Sequence, residues 1–227
     1  MKDHQGRTID FGRQAADYDQ HRPGFPPSFF EAIVERGYVD PAHRALDLGT
    51  GSGTVAIGLA GLGKQVVGLD VSADLLEVAR SRAVGLPATF AQGQAEETGL
   101  PAHSFDLVTA GQCWWWFDSD AAIAECRRVL VPGGRLLIAS FSYLPLPGSA
   151  AGRTEALILE HNPGWPKAGW RGVHPEQVKA LDEGGFTGVE SFSYTEDVAF
   201  THEGWRGRIR TCNGVGSALE PDEIEAF

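Results

Sequence analysis

The sequence predicts an α/β fold: a doubly wound, mostly parallel sheet in one domain over residues 1–227. Three observations carry this. Apolar runs of strand length alternate with helical patterns from Arg44 to Ser142. The first run, Ala45-Leu46-Asp47-Leu48, breaks at three glycines spaced by one residue, Gly49, Gly51 and Gly53, before a helical pattern. A chain of 227 residues with 42% apolar composition can bury one such core. Alternation at this pitch implies right-handed βαβ crossovers, and such sheets bind ligands at the carboxyl ends of their strands.

Taken in order, residues 1–10 are expected to be disordered, and Phe11–Gln20 to form a short helix stopped before Pro23. Pro26 and Pro27 suit the first turn of a second helix, with an apolar stripe of Phe29, Phe30, Ile33 and Val34 and Gly37 at its end. These two helices are candidates for a cover over the sheet's edge. Strands are expected at 44–49, 65–70, 88–93, 105–111 and 135–141, and helices at 54–61, 73–83 and 119–130. Ser72 and Ser119 suit N-caps, and Pro132-Gly133-Gly134 reads as a turn into the fifth strand. Beyond Ser142 the alternation lapses. A helical run at 149–160 lies among prolines and Trp165 and Trp170; Pro175 starts a helix that Gly184-Gly185 ends. Residues 188–200 are β-rich, as one strand or a hairpin, and 201–227 are helical in pattern.

Composition narrows the partners. A net charge of −11 argues against nucleic acid, whose phosphates need a basic surface. Cys113, Cys126 and Cys212 show no CxxC or metal-ligand spacing, so reduced thiols and no metal are expected. The polar N-terminus is unlike a secretory signal, and no apolar run approaches the roughly 18 residues of a membrane helix. A cytoplasmic protein without a membrane partner is the expectation.

The glycine loop fits a nucleoside with an anionic group, because glycine admits positive φ and the helix amides face the ligand. A nicotinamide fold wants G-x-G-x-x-G, with an acidic residue about 20 positions on. Here the spacing is Gly49-x-Gly51-x-Gly53, and Asp70 suits either ligand. Asp47 weighs against a pyrophosphate, since a carboxylate there repels one but can order the loop or accept from an ammonium group.

Further motifs follow in order: Val66-Val67-Gly68-Leu69-Asp70-Val71-Ser72, Gly93-Gln94-Ala95-Glu96, Ser104-Phe105-Asp106-Leu107-Val108, and Arg128-Val129-Leu130-Val131-Pro132-Gly133-Gly134. With Ala45–Gly53 they resemble the class I S-adenosylmethionine-dependent methyltransferases, from about Phe11 to the end of the chain. Tyr18-Asp19-Gln20-His21-Arg22-Pro23-Gly24-Phe25-Pro26 resembles the Y-x-x-x-R-P-x-Y-P segment of the trans-aconitate methyltransferase-like subgroup, and Trp116-Phe117-Asp118 its W-F-D.

The resemblance implies a Rossmann-like fold and S-adenosyl-L-methionine as cofactor. It divides the chain into an N-terminal helical cover (1–37), a cofactor-binding core (38–142), a candidate acceptor lid (143–173) and a C-terminal part (174–227). Gly49, Gly51 and the Thr50 backbone would line the methionine portion, near Asp47. Asp70 would accept from both ribose hydroxyls, and Val71 and Leu75 would sandwich the adenine or serve only as core. Gln94 stands where relatives usually place Asp before the Ala-Glu pair, here Ala95-Glu96, in the adenine segment. Ala110, Gly111 and Gln112 would meet the methionine end. Tyr18 and Arg22 would close over it, Arg22 on the carboxylate, or only pin the N-terminal helices.

Methyl transfer from a sulfonium is an in-line displacement, so the main task is holding the acceptor about 3–3.5 Å from the methyl. Trp114, Trp115 and Trp116 sit where acceptor and sulfonium would meet, with at least one expected in the core, and Trp165 is a candidate from the lid. Relatives often carry histidine at the position of Trp115, so no catalytic base is assigned. The expectation is transfer to a small-molecule acceptor, a carboxylate or hydroxyl, by positioning; the alternative is a cofactor-binding protein without turnover. Relatives close the sheet with two antiparallel strands, and the last has no clear candidate here. Either 188–200 folds into a hairpin, a neighbouring chain fills the gap, or an edge stays open; an open edge invites pairing with another chain, so a homo-oligomer or modest stability is expected.

Overall fold

The computed structural model of the chain describes residues 24–39, 44–169, 172–212, 214–216 and 218–227. Contacts divide it into two compact units. One comprises Gly24–Phe141 with Pro175–Ser191, and the other includes Ser142–His174 and Phe192–Phe227. The predicted Phe11–Gln20 helix, Tyr18, Arg22 and Trp170 lie outside the described residues.

The first unit holds the sheet. Its strands are β1 (Arg44–Leu48), β2 (Gln65–Asp70), β3 (Ala88–Gln92), β4 (Phe105–Gly111) and β5 (Leu130–Ala139). They are all parallel, in the order β3-β2-β1-β4-β5, as a doubly wound sheet requires. Its helices are α1 (Pro27–Glu35), α2 (Thr54–Gly61), α3 (Ala73–Arg82), α4 (Ser119–Val129) and α6 (Pro175–Glu183). In β1, Ala45 through Leu48 are all buried, the signature of a strand covered on both faces.

Alternate residues of the central strands feed opposite cores. Leu46, Leu48, Val108 and Ala110 pack with Ile123, Cys126 and Val129 of α4 on one face. Ala45, Val66 and Leu107 pack with Val55, Ala56 and Leu59 of α2 and with Phe29 and Ile33 of α1 on the other. So α1 covers the face over the three central strands, not an edge. Gly58 permits this, because a Cβ there would stand 2.1 Å from the Phe30 ring. At its end Gly37 (φ +66) donates to Val34 O and Tyr38 N to Ile33 O, both at 2.9 Å, a left-handed glycine stop.

Three further expectations need correction. The α4 N-cap is Asp118, which accepts from Ala121 N at 3.1 Å, and Ser119 is the first helical residue. A carboxylate and a hydroxyl cap equally well, so residue type alone could not choose between neighbours. Second, Pro132–Gly134 do not precede the fifth strand but lie inside it. Leu130 already pairs with Phe105, and the ladder resumes at Leu107 with Arg135. The extra residues form a bulge, with Gly133 at φ +80 and a Cβ on Gly134 falling a tight 3.0 and 3.1 Å from Val131 O and Asp106 O. Third, residues 189–200 form no ladder. Phe192 and Tyr194 stack at 6.4 Å with 5° between their planes, the same-face spacing of extended chain. Alternation supplied extended backbone; a strand also needs a partner.

The second unit contains α5 (Ala150–His161), α7 (His202–Arg210) and α8 (Pro221–Ala226). Its core joins Ile158, Trp165, Ile209, Cys212 and Val215. All three cysteines are buried and free. Among the described residues, no helix is long and apolar enough to cross a membrane, and no cluster of three His, Cys, Asp or Glu could hold a metal.

Candidate functional site

Strand order reverses between β1 and β4, and ligands of open α/β sheets bind at the carboxyl ends beside that point. Two segments emerge there: the glycine loop after β1 and an aromatic turn after β4.

Asp47 organises the loop from beneath. It lies in register beside Thr109 on the neighbouring strand, facing the same way. Thr109 Oγ1 donates to Asp47 Oδ1 and Thr50 Oγ1 to Asp47 Oδ2, each at 2.6 Å. Both carboxylate oxygens are therefore engaged by hydroxyls, and the group is 1% exposed. No local pattern singles out Thr109: it is a lone hydroxyl in the apolar stretch Leu107–Ala110, and its partner lies 62 residues away.

Burial pushes the Asp47 carboxyl from 3.8 up to about 6, against the lowering effect of the Thr109 and Thr50 bonds. Between those pH values the folded chain holds a proton that the unfolded chain has released. This contribution to stability is full below 3.8 and is lost as pH rises through about 6. Over that window the loss is on the order of 3 kcal/mol. Asp47→Asn is expected to flatten the corresponding slope in urea denaturation performed across pH 4–7; an unchanged slope would assign it to another group.

The other loop anchor is Asp70, at the end of β2. Its Oδ2 accepts from Gly51 N and its Oδ1 from Ser72 N, both at 2.8 Å. Each oxygen keeps a lone pair for a ligand hydroxyl. Thr50 N donates to Leu69 O at 2.9 Å, completing the loop's attachment to β2. Gly49, Gly51 and Gly53 all have positive φ, but for different purposes. A Cβ on Gly49 would meet Cys113 at 2.8 Å, whereas one on Gly51 would meet nothing within 4 Å among the described residues. Gly49 is a packing glycine and Gly51 is open toward the rest of the described chain.

Val71 follows, 45% exposed, and Gln92 Nε2 holds its carbonyl at 2.9 Å. Leu75 is buried in α3, whose N-cap Ser72 accepts from Leu75 N at 3.4 Å, as expected. Gln94 is exposed and Ala95 buried, while Glu96 accepts from the backbone of Asp118.

At the end of β4, Ala110 is buried, and Gly111 leaves room for Val55 and Phe25 at 2.7 and 2.9 Å from a would-be Cβ. Gln112 takes a positive φ of 63°, donates its N–H to Ala139 O, and turns its amide onto Phe141 O. Trp114–Trp116 form a short 3-10 turn. Trp114 enters the core, edge-on to Phe117 at 5.7 Å; Trp116 is half-buried and Trp115 exposed. Cys113 Sγ donates to Leu48 O at 3.1 Å, and burial raises its thiol well above the ordinary value, so it is a packing group. Trp165 sits in the second unit's core against Gly214. His103 lies at the opposite end of β4, with Nδ1 2.9 Å from Leu130 O.

The methyltransferase domain family matches residues 46–138, from β1 to β5. The ubiquinone/menaquinone biosynthesis C-methyltransferase UbiE of Cupriavidus pinatubonensis is 30% identical over an alignment of 190 positions that covers 75% of this chain and 78% of that protein. The chain belongs to the class I S-adenosylmethionine-dependent methyltransferases. An uncharacterized methyltransferase of Mycobacterium bovis is 38% identical over 130 residues, 57% of this chain. The chain spans about half, 51%, of that relative's length. A Haemonchus contortus phosphoethanolamine N-methyltransferase, solved with S-adenosylhomocysteine, shares the fold at a TM-score of 0.59. It is 24% identical, with 79% of this chain and 42% of that one covered.

S-adenosyl-L-methionine is the cofactor of this methyltransferase fold, and the residues present fit it. An open glycine stands at the loop, a carboxylate with free lone pairs ends β2, and an exposed apolar side chain follows it.

Proposed function

We propose that the chain transfers a methyl group from S-adenosyl-L-methionine to a small-molecule acceptor, a carboxylate or hydroxyl, by in-line displacement without a dedicated base. The observation that carries this reading is the direct packing of the aromatic turn on the glycine loop. Cys113 and Phe117 lie 2.8 and 3.2 Å from a Cβ position on Gly49.

The bound cofactor supplies an electrophilic methyl on a cationic sulfur. The chain's residues do the rest. Asp70 holds the ribose hydroxyls, Val71 offers an apolar surface to the adenine, and the loop amides meet the methionine end. The turn Trp114–Phe117 walls the acceptor space and keeps water out. An aromatic face also attracts a cation by about 0.5–2 kcal/mol, which suits a sulfonium. Trp115 stands where relatives often have histidine. An acceptor that is already ionised needs no proton removed, so orientation at about 3–3.5 Å is the main demand.

The test has two arms. S-adenosylhomocysteine is expected to raise the melting temperature and NAD to leave it unchanged. A labelled-methyl screen should then include small carboxylates and phenols. It should also include carbon acceptors, because the Cupriavidus relative is named a C-methyltransferase. Transfer to a carboxylate is expected to be flat in pH from about 7 to 9, above the Asp47 value of about 6. A limb within that range would demand a base, and a melting shift without turnover would favour a binding protein.

A further inference from the structure

The loop between β3 and β4 is clipped to α4. Thr98 donates its N–H and hydroxyl to Glu125, at 2.9 and 2.5 Å, and Arg128 reaches Leu100 O at 2.7 Å. Two residues before Thr98, Glu96 Oε1 accepts the backbone N–H of Asp118 at 2.9 Å.

Asp118 is the N-cap of α4 and directly follows Phe117. The N–H of an N-cap residue has no partner within its own helix. In a capping box, a Glu or Gln at the third helical position reaches back to satisfy it. Here the Asp118 side chain makes the forward half of that exchange, accepting from Ala121 N. The third position is Ala121 itself, which has no acceptor to return. Glu96 supplies the missing half from another loop, 22 residues earlier in the chain.

We propose that Glu96 is a positioning residue, a capping partner in space that fixes the start of α4 and thereby the aromatic turn. The turn has its own closure, through Trp116 N on Cys113 O at 2.9 Å and Phe117 N on Trp114 O at 3.1 Å. What those bonds leave open is how the turn joins α4, and Asp118 N is that junction. The same carboxylate lies two residues from Gln94, so the adenine segment and the wall of the acceptor space share one attachment. Its consequence for the acceptor rests on the function proposed above; the placement of the turn does not.

The test is hydrogen exchange over residues 113–121, read beside calorimetric titration with S-adenosylhomocysteine. Losing a hydrogen bond to a charged acceptor is expected to speed exchange there about tenfold in Glu96→Ala. Glu96→Gln keeps an acceptor oxygen and should exchange like the parent. The double variant Glu96→Ala/Ala121→Glu restores the capping box within the helix and should recover protection. Unchanged exchange in Glu96→Ala, or failure of both restoring variants, would overturn the proposal. So would a loss of affinity above tenfold without a change in exchange, since Glu96 would then be a ligand to the cofactor. Failure of the parent protein to bind S-adenosylhomocysteine would strike the proposed function alone, because the exchange readout needs no ligand.

Discussion

Gly49→Ala is expected to destabilise the protein by about 2–4 kcal/mol, combining a left-handed backbone penalty with overpacking. Gly51→Ala should instead act mainly on the cofactor. Both residues have positive φ, +59° and +55°, so the backbone strain is shared. Space separates them. The Cβ of residue 49 would fall 2.8 Å from both Cβ and Sγ of Cys113 and 3.2 Å from Phe117 Cζ. Cys113 has little freedom to retreat, because it is buried and its Sγ is held by Leu48 O. At residue 51 none of the described residues lies within 4 Å, so only about 1–2 kcal/mol of conformational cost applies. That added methyl would occupy the space in front of the loop. Urea denaturation and titration with S-adenosylhomocysteine distinguish the two: a large stability loss in the first variant, and at least tenfold weaker binding in the second. Equal stability losses would mean that the Cys113 contact relaxes freely.

Asp70→Ala is expected to weaken S-adenosylhomocysteine binding about ten- to a hundredfold, from loss of a charged acceptor worth about 1.5–3 kcal/mol. The effect has two sources. One is direct acceptance from the ribose hydroxyls. The other is the loop, because the two carboxylate oxygens hold Gly51 N and Ser72 N at 2.8 Å. Asp70→Asn separates them in part. An amide has one accepting oxygen, so either Gly51 or Ser72 faces an NH2 group and loses its partner. Asn is therefore expected to fall nearer Ala than Asp in affinity, measured by calorimetry. Affinity close to the parent in Asp70→Asn would show that the loop stands without this carboxylate.

Much of the architecture was legible from local pattern. The boundaries of β2, β4 and α2 coincide with those expected, because each is a short apolar run or helical stripe ended by its own glycine or strand-to-loop change. The glycine loop was visible for the same reason, since positive φ is a property of single residues. The ordered motifs carried the resemblance to the methyltransferases, and the family match over residues 46–138 agrees with it. The paths of Tyr18 and Arg22 lie outside the described residues.

What the sequence by itself determined was thus where the first four strands, the helices that alternate with them and the left-handed glycine loop fall along the chain. Only the tertiary structure decided which partners meet. Asp47 finds Thr109 across a β1–β4 register, and Glu96 finds the N-cap of a helix that its own loop does not precede directly. Gly49 turned out to be a packing position because Cys113 and Phe117 return against it. Residues 189–200 show the converse, an extended alternating segment without a ladder. Backbone preference is set within a few residues. A hydrogen bond or a steric limit between distant residues depends on strand order and register, which no local pattern contains.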